Sequence, residues 1–168
     1  MPRIPHNKGD KFQVLNLLGR LTRRFQPPYT DWFLRKLYNP DERREDFFEI
    51  AIPYDQDLYI NINSSSYIEW TIFFYGYHEP ELARAVKQIL RPNATAIDVG
   101  ANIGGNTLVM GRIAREVIAL EPNPLVFNRL SQNVALNRLR HVRLLQCAAG
   151  EKQDALTLYS HDASFVNQ

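Results

Sequence analysis

The sequence predicts an α/β protein that contains the first three strands of a doubly wound sheet. Short apolar runs at residues 94–99, 117–120 and 142–147 have the length and β-branched content of strands, and apolar residues at helical spacing lie between them. Before residue 79 the pattern differs, because helical periodicity gives way to short aromatic and β-branched runs. We therefore expect a helical and antiparallel β N-terminal region followed by an incomplete α/β sheet.

Three regions follow from these patterns. Residues 1–40 are expected to form a helical arm, residues 41–78 a short antiparallel β lead-in, and residues 79–168 half of a sheet-based ligand-binding fold. With 168 residues and 45% hydrophobic content, the chain is long enough to bury a core. The balance of 20 basic and 18 acidic residues gives no argument for nucleic acid by itself.

The expected location follows from features that the sequence lacks. No stretch approaches the roughly 18 consecutive apolar residues of a membrane-spanning helix, and the N-terminus has no apolar signal-peptide core. Cys147 is the one cysteine, so no internal disulfide can form and nothing indicates an oxidising compartment. We expect a cytoplasmic protein.

The helical arm is expected to begin with a disordered segment at residues 1–9, which hold two prolines and a glycine. Residues 10–25 predict a basic amphipathic helix that is broken by the two prolines after it. Packing of its apolar face on the protein is the favoured interpretation, and contact with a membrane surface is the alternative. The residues expected on that face are Val14, Leu18, Leu21 and Phe25, with Leu15 and Leu17 beside them.

A second short helix is expected at residues 29–38, anchored by Trp32 and Phe33. Three antiparallel strands follow a charged connection, because aromatic and β-branched residues dominate and turn residues separate the runs. The expected strands are residues 47–52, 58–62 and 67–74.

The turn after the first strand of the sheet is the most informative stretch. Glycines stand at positions 100, 104 and 105, and a helix follows them. Glycine lets a ligand approach the backbone closely, because no Cβ occupies that space. A dinucleotide fingerprint requires a further glycine at position 102, where this chain has Asn102. The turn is therefore predicted to hold a different nucleotide-like ligand.

Two acids indicate the charge of that ligand. Asp98 lies at the carboxyl end of the strand, where it would repel a pyrophosphate by about 4 kcal/mol at roughly 4 Å. Glu121 follows the second strand 23 residues later, where an acid can accept both ribose hydroxyls. S-adenosylmethionine combines an adenosine with a sulfonium and an ammonium but no phosphate, so it is the expected cofactor. The alternative is that both acids only cap the helices that follow them.

Other polar residues carry weaker signals. Glu79 could reach the cofactor's ammonium or favour the start of the next helix through the helix dipole, and both roles stay open. No metal site is expected, and His78 is not expected to act as a base. Cys147 and Ala148 lie at the end of the third strand and are placed to flank the adenine, although a buried structural role is favoured for Cys147 itself.

On these residues the sequence resembles the FkbM family of class I S-adenosylmethionine-dependent methyltransferases. The resemblance implies a Rossmann-like fold in which Asp98, Gly100, Asn102 and Gly104 line the methionine end of the cofactor and Glu121 holds its ribose. It also implies O-methylation of a sugar, polyketide or related small molecule, with the catalytic base unknown. It covers about residues 70–155 and rests on YGYHEPEL at 75–82, IDVGANIGGNTL at 97–108, ALEPNP at 119–124, FNRLSQNVALN at 127–137 and CAAGEK at 147–152.

The family's downstream K-x-D-x-E-G-like element does not occur in this chain, and 75 residues from position 94 onward accommodate three strands and two helices. We therefore expect a C-terminally truncated sheet with an open edge that favours self-association. The alternatives are a catalytically inactive cofactor-binding remnant, a nicotinamide-dependent oxidoreductase, which Asp98 and Asn102 disfavour, and an RNA methyl acceptor attracted by the basic helix. A small-molecule substrate is expected, and a nucleic acid is not.

Overall fold

The computed structural model describes residues 10–25, 30–39 and 47–152. The expected N-terminal arm at residues 1–9, the charged connection at 41–46 and the tail after residue 152 lie outside the described residues. The chain forms two compact units, Met1–Arg84 and Ala85–Gln168.

The first unit combines helices with a β-hairpin, and both predicted helices of the arm are confirmed. Two strands pair antiparallel, with Ile50 opposite Ile62 and Ile52 opposite Ile60, which confirms the first two of the three expected strands. The isoleucines at 52, 60 and 62 alternate along their strands and are buried, as one face of a half-buried hairpin requires. In chain order the elements are α1 (Asp10–Phe25), α2 (Thr30–Leu37), β1 (Glu49–Pro53), β2 (Tyr59–Asn63) and α3 (Tyr67–Tyr75).

The prediction of a third strand at residues 67–74 is wrong, because this segment forms helix α3. Six consecutive residues starting at Glu69 are buried, and a run buried on all sides cannot be assigned to strand or helix by periodicity. The backbone N–H of Asn63 donates to the Glu69 carboxylate, which holds the turn that leads into the helix. Gly76, at φ 89°, ends α3 and donates its N–H to the Ile72 carbonyl.

Helix α1 packs through Leu15, at the edge of the expected apolar face, and not through the centre of that face. Leu15 and Gly19 are buried, whereas Val14 and Leu21 are 53% and 47% exposed. A Cβ at Gly19 would lie 3.1 Å from the Phe73 ring and from its carbonyl oxygen. The glycine therefore admits α3 to this side of α1, and close helix packing rather than apolar content decides which face is covered.

Helix α2 also turns an unexpected side outward. Trp32 and Phe33, the expected anchors, are 64% and 51% exposed, so this prediction is wrong. Leu34 is fully buried, and Tyr38 is buried just after the helix, with its hydroxyl 2.8 Å from the Ser64 hydroxyl. The two residues that anchor α2 are therefore four apart, on one helical face.

The second unit is an α/β layer, which confirms the predicted fold class. Its strands are parallel and lie in the order β3-β4-β5. Because parallel strands end at the same edge of a sheet, the segments that follow β3 and β4 are neighbours. The elements are α4 (Pro80–Ile89), within which the boundary between the units falls, β3 (Thr95–Val99), α5 (Gly105–Ile113), β4 (Glu116–Leu120), α6 (Pro124–Leu136) and β5 (Val142–Leu145).

The sheet has one packed side and one open side at β3. Val117 and Leu108 are fully buried where α5 packs against β3 and β4. Ile97 and Val99 are each 61% exposed, and β3 pairs only with β4 within the described residues. None of the helices in the described ranges is long and apolar enough to cross a bilayer.

Candidate cofactor-binding site

The turn between β3 and α5 is held by backbone hydrogen bonds to the neighbouring strand. The N–H groups of Gly100 and Ala101 both donate to the Leu120 carbonyl at 2.9 Å, and that of Gly104 donates to the Ala101 carbonyl at 2.9 Å. Three turn residues have positive φ: Gly100 at 75°, Asn102 at 51° and Gly104 at 97°. Positive φ strains most side chains, and Asn is among the few non-glycine residues that tolerate it. The residue types at these three positions therefore suit the positive φ angles that the turn requires.

Two of the glycines have different surroundings. A Cβ at Gly100 would meet no atom within 4 Å, whereas a Cβ at Gly104 would lie 2.8 Å from Cδ1 of Leu130. Leu130 belongs to α6 and is fully buried. The absence of a side chain at Gly104 is therefore required by helix packing, and the open backbone that a ligand could approach is at Gly100.

Asp98 is buried, with 9% of its surface exposed. It accepts a hydrogen bond from the hydroxyl of Thr107, which lies in α5 and is itself fully buried. This contact ties the carboxyl end of β3 to the first turns of the helix. The carboxylate lies two residues before Gly100, and its position is set by Thr107, a partner that was not predicted from the sequence.

Glu121 is 8% exposed and contacts the same turn from the end of β4. One carboxylate oxygen accepts from the N–H of Asn102 at 2.9 Å, and the other accepts from the N–H of Asn123 at 3.0 Å. A buried carboxylate requires such donors, because burial without them is costly. The acid expected at the ribose position is therefore held against the glycine turn.

The helix-cap alternative for these acids does not describe their contacts. The N-cap of α5 is Gly104, and the N-cap of α6 is Asn123, whose side chain accepts from the N–H groups of Leu125 and Val126. Asp98 and Glu121 instead bind a side-chain hydroxyl and turn amides. Each acid stabilises the junction between a strand and the turn that follows it.

Asn133, which was not predicted from the sequence, also positions the turn. Asn133 is fully buried in α6, and its side-chain amide donates to the Ile103 carbonyl at 2.8 Å. On the other side of that residue, the Asn102 side chain accepts from the Ile103 N–H at 2.7 Å. The available signal was an asparagine on the helical face that also carries Leu130, where a polar side chain must find a buried partner.

The residues after β5 are less constrained. Cys147 is exposed, so the favoured expectation of a buried structural cysteine is wrong. Ala148 is also exposed, in irregular backbone that follows the strand. Both residues lie after β5, which ends at Leu145. None of the described elements covers them, so their side chains are exposed.

The polar residues expected before the sheet belong to the first unit. His78 and Glu79 are both exposed. The Nδ1 atom of His78 lies 3.0 Å from the Thr71 hydroxyl, and its ring meets the edge of Tyr67. His78 is therefore engaged by α3, where it closes the segment that follows the helix.

A depression of about 530 Å³ lies at the other end of the sheet, where β4 and β5 begin. It holds three arginines and one acid, so its character is cationic. It is separate from the glycine turn, because the beginnings and ends of parallel strands lie at opposite edges. Its lining residues are Arg115, Glu116, Arg140, His141, Val142 and Arg143.

Two curated proteins are similar to part of the chain, and no protein-family model matches it. The "Probable ribosomal RNA small subunit methyltransferase A" of Methanosphaera stadtmanae is 33% identical over 67 residues, which are 40% of this chain and 22% of that protein. The "Methyltransferase sdnD" of Sordaria araneosa is 39% identical over 72 residues, 41% of this chain and 28% of that protein. Among solved structures, the M. jannaschii tRNA m1G37 methyltransferase has 19% identity and a TM-score of 0.48, covering 64% of this chain and 32% of that one.

The chain spans about a quarter of the length of these curated relatives. Both relatives are named methyltransferases, and each is similar to about two fifths of this chain. The cofactor that such proteins imply is S-adenosylmethionine, in agreement with the cofactor expected from the two acids. The matches do not distinguish the FkbM family from other methyltransferases.

Proposed function

We propose that the chain is part of an FkbM-type methyltransferase and that the turn at residues 100–104 binds S-adenosylmethionine. The observation that carries this proposal is the open backbone at Gly100 beside two buried carboxylates. Asp98 lies two residues before Gly100, and Glu121 binds the turn through the backbone N–H of Asn102. A buried acid at each of two strand ends is the pattern that a cationic nucleoside favours.

Charge supports this cofactor over a dinucleotide. Two acids beside one turn repel a pyrophosphate, and each unscreened pair of like charges at about 4 Å costs on the order of 4 kcal/mol at an effective dielectric near 20. The cofactor's ammonium and sulfonium are attracted by the same acids. Within the turn, the N–H groups of Gly100 and Ala101 are also engaged, because both donate to the Leu120 carbonyl.

Glu121 can hold the ribose without leaving the turn. A carboxylate offers about four lone-pair sites, and the structure uses one site on each oxygen for the amides of Asn102 and Asn123. Each oxygen can therefore accept one ribose hydroxyl in addition. We propose in addition that Gly100, Asn102 and Gly104 line the methionine end of the cofactor with Asp98, and that Ala148 flanks the adenine.

The bound cofactor would supply an electrophilic methyl group on its sulfonium. The chain's own contribution is to hold that group in a defined orientation, and alignment with an acceptor can supply much of the acceleration in such a displacement. The proposed acceptor is a hydroxyl of a sugar, polyketide or related small molecule, whose proton a base must remove. His141 is not assigned this role, because its Nε2 donates to the Gly111 carbonyl.

A nucleic acid is the second candidate for the methyl acceptor. One relative is named a ribosomal RNA methyltransferase, and the depression between β4 and β5 presents three arginines to solvent. Arginine suits phosphate because its planar fork donates two parallel hydrogen bonds. Binding of an RNA oligonucleotide that weakens steeply with salt, and that is lost in Arg140→Gln/Arg143→Gln, would favour this acceptor.

Isothermal titration with S-adenosylmethionine, its demethylated product and NADH tests the cofactor. We expect saturable binding of the first two and none of NADH, because only NADH carries a pyrophosphate. Binding of NADH alone would overturn the proposal in favour of an oxidoreductase. Binding of S-adenosylmethionine without turnover on any hydroxyl substrate would support the alternative of an inactive cofactor-binding remnant.

A further inference from the structure

Helix α1 carries two apolar faces, and only one of them is packed. Leu15 and Gly19 are buried against the first unit. Val14, Leu17 and Leu21 form a second stripe and are 53%, 59% and 47% exposed. At about 100° per residue, these three side chains fall within roughly 60° of arc. A helix that packs on one side does not need this second stripe for its fold.

Helix α2 repeats the arrangement. Its buried side carries Leu34, whereas Trp32, Phe33 and Leu37 are 64%, 51% and 38% exposed. Residues 32, 33, 36 and 37 of an α-helix lie within about 140° of arc, so these side chains share the outward side with Lys36. Two consecutive helices thus present large apolar side chains to solvent.

Basic residues border both apolar surfaces. Arg20 and Arg24 are exposed on α1, on the flank of the stripe that faces away from the buried side. Lys36 is exposed on α2, and its ammonium lies 4.7 Å from the centre of the Trp32 ring. Apolar and aromatic residues bordered by lysine and arginine are the composition of helices that lie in a membrane interface.

We propose that α1 and α2 bind the surface of a membrane that contains anionic lipids. The exposed stripe of α1 and the outward side of α2 would enter the boundary between headgroups and acyl chains, and Arg20, Arg24 and Lys36 would contact lipid phosphates. An anionic bilayer is favoured over a protein partner because it satisfies both the apolar side chains and the cations that border them. This inference is independent of the proposed cofactor and methyl acceptor.

The two tryptophans provide an internal control for the test. Trp32 is 64% exposed, and Trp70 is fully buried. With vesicles of equal parts phosphatidylcholine and phosphatidylserine, we expect the emission of the 168-residue chain to shift to the blue and its quenching by acrylamide to fall. Trp32→Phe should abolish both changes, because only Trp70 then reports. Unchanged emission of the wild-type chain on such vesicles, at low salt, would overturn the proposal.

Paired variants separate membrane insertion from general surface polarity. Leu17→Gln/Leu21→Gln should weaken sedimentation with these vesicles by about tenfold or more, since two apolar side chains no longer insert. The matched control is Ile89→Gln/Leu125→Gln, at positions 75% and 45% exposed on other helices, and it should bind as the wild type does. An equal loss in both variants would contradict the assignment to α1.

Two further measurements test the charge and the occupant. Arg20→Gln/Lys36→Gln should reduce binding to anionic vesicles and leave the weaker binding to phosphatidylcholine alone unchanged, whereas an equal reduction on both would remove the role of the cations. If protection of Trp32 from acrylamide rises with protein concentration in the absence of vesicles, a second copy of the chain occupies the surface and the membrane proposal fails.

Discussion

Two buried glutamates, one in each unit, illustrate how similar contacts serve different ends. Glu69 is 5% exposed and accepts from the Asn63 amide, and Glu121 is 8% exposed and accepts from the Asn102 amide. Each carboxylate holds a turn through a backbone N–H. The surroundings differ, because Ser64 and Trp70 beside the first acid are buried, whereas Gly100 in the turn of the second is open to solvent. A buried acid becomes a candidate site only where open backbone adjoins it.

The largest effect is expected for Glu69→Ala. The change leaves the buried backbone N–H of Asn63 without its charged acceptor. It also creates a cavity where the Glu69 side chain was packed, so the free energy of unfolding should fall by about 3 kcal/mol. Urea denaturation followed by Trp70 fluorescence in a Trp32→Phe background measures this loss. Cofactor affinity of the folded protein should not change.

Glu69→Gln is the matched control for that change. Glutamine keeps the volume and one acceptor oxygen, so more than half of the lost stability should return. A Gln variant as unstable as the Ala variant would mean that the charge itself, through partners other than Asn63, holds the start of α3.

Gly104→Ala should have the next largest effect. Its φ of 97° strains any side chain, and the added Cβ would lie 2.8 Å from the fully buried Leu130. Together these should lower the unfolding free energy by roughly 2 to 3 kcal/mol, measured by chemical denaturation. In Gly104→Ala/Leu130→Val the shorter side chain makes room, so the two losses should be less than additive. Strict additivity would show that the contact with Leu130 does not explain the glycine.

The parallel layer was predictable because each of its signals is local. The glycine turn and the acids at positions 98 and 121 lie within or directly beside the strands that they end, so periodicity and turn chemistry located them. The same tight turn brings the N–H groups of Gly100 and Ala101 to one acceptor, the Leu120 carbonyl. Where structure is determined within a few residues, one sequence is sufficient to place it.

The remaining features depend on contacts between distant residues. Helix α3 resembled a strand because burial on every side removes periodicity, and the covered face of α1 was decided by Gly19 against Phe73, 54 positions away. Asn133 reaches Ile103 from another helix, 30 residues along the chain. The exposure of Cys147 depends on the absence of a covering element among the described residues. The local sequence pattern does not identify the partners in these contacts, although Asn133 on the helical face of Leu130 indicates that a buried partner exists.

Glu121→Gln tests the buried glutamate that lies beside the open backbone at Gly100. Glutamine keeps one acceptor oxygen, so one of the two amide bonds and the charge are lost, and stability should fall by about 1 to 2 kcal/mol. The affinity for S-adenosylmethionine should fall tenfold or more by titration, because the ribose hydroxyls lose charged acceptors. Glu116→Gln, at the opposite end of the same strand, is the control and should bind as the wild type does. If Glu121→Gln binds S-adenosylmethionine as tightly as Glu116→Gln does, Glu121 does not contact the ribose.

Gly100→Ala should have the smallest effect on stability and a large effect on the cofactor. A Cβ there meets nothing within 4 Å, so only the strain of a φ of 75° remains, about 1 kcal/mol. The methyl group would occupy the space through which a ligand approaches the backbone, and affinity for S-adenosylmethionine should fall at least tenfold. Gly150→Ala, whose Cβ would lie 3.8 Å from the Lys152 carbonyl, is the control and should change neither quantity. If Gly100→Ala binds the cofactor as tightly as the wild type does, the open backbone is not the cofactor's contact. Glu121 would then be, like Glu69, a buried acid that serves the fold alone.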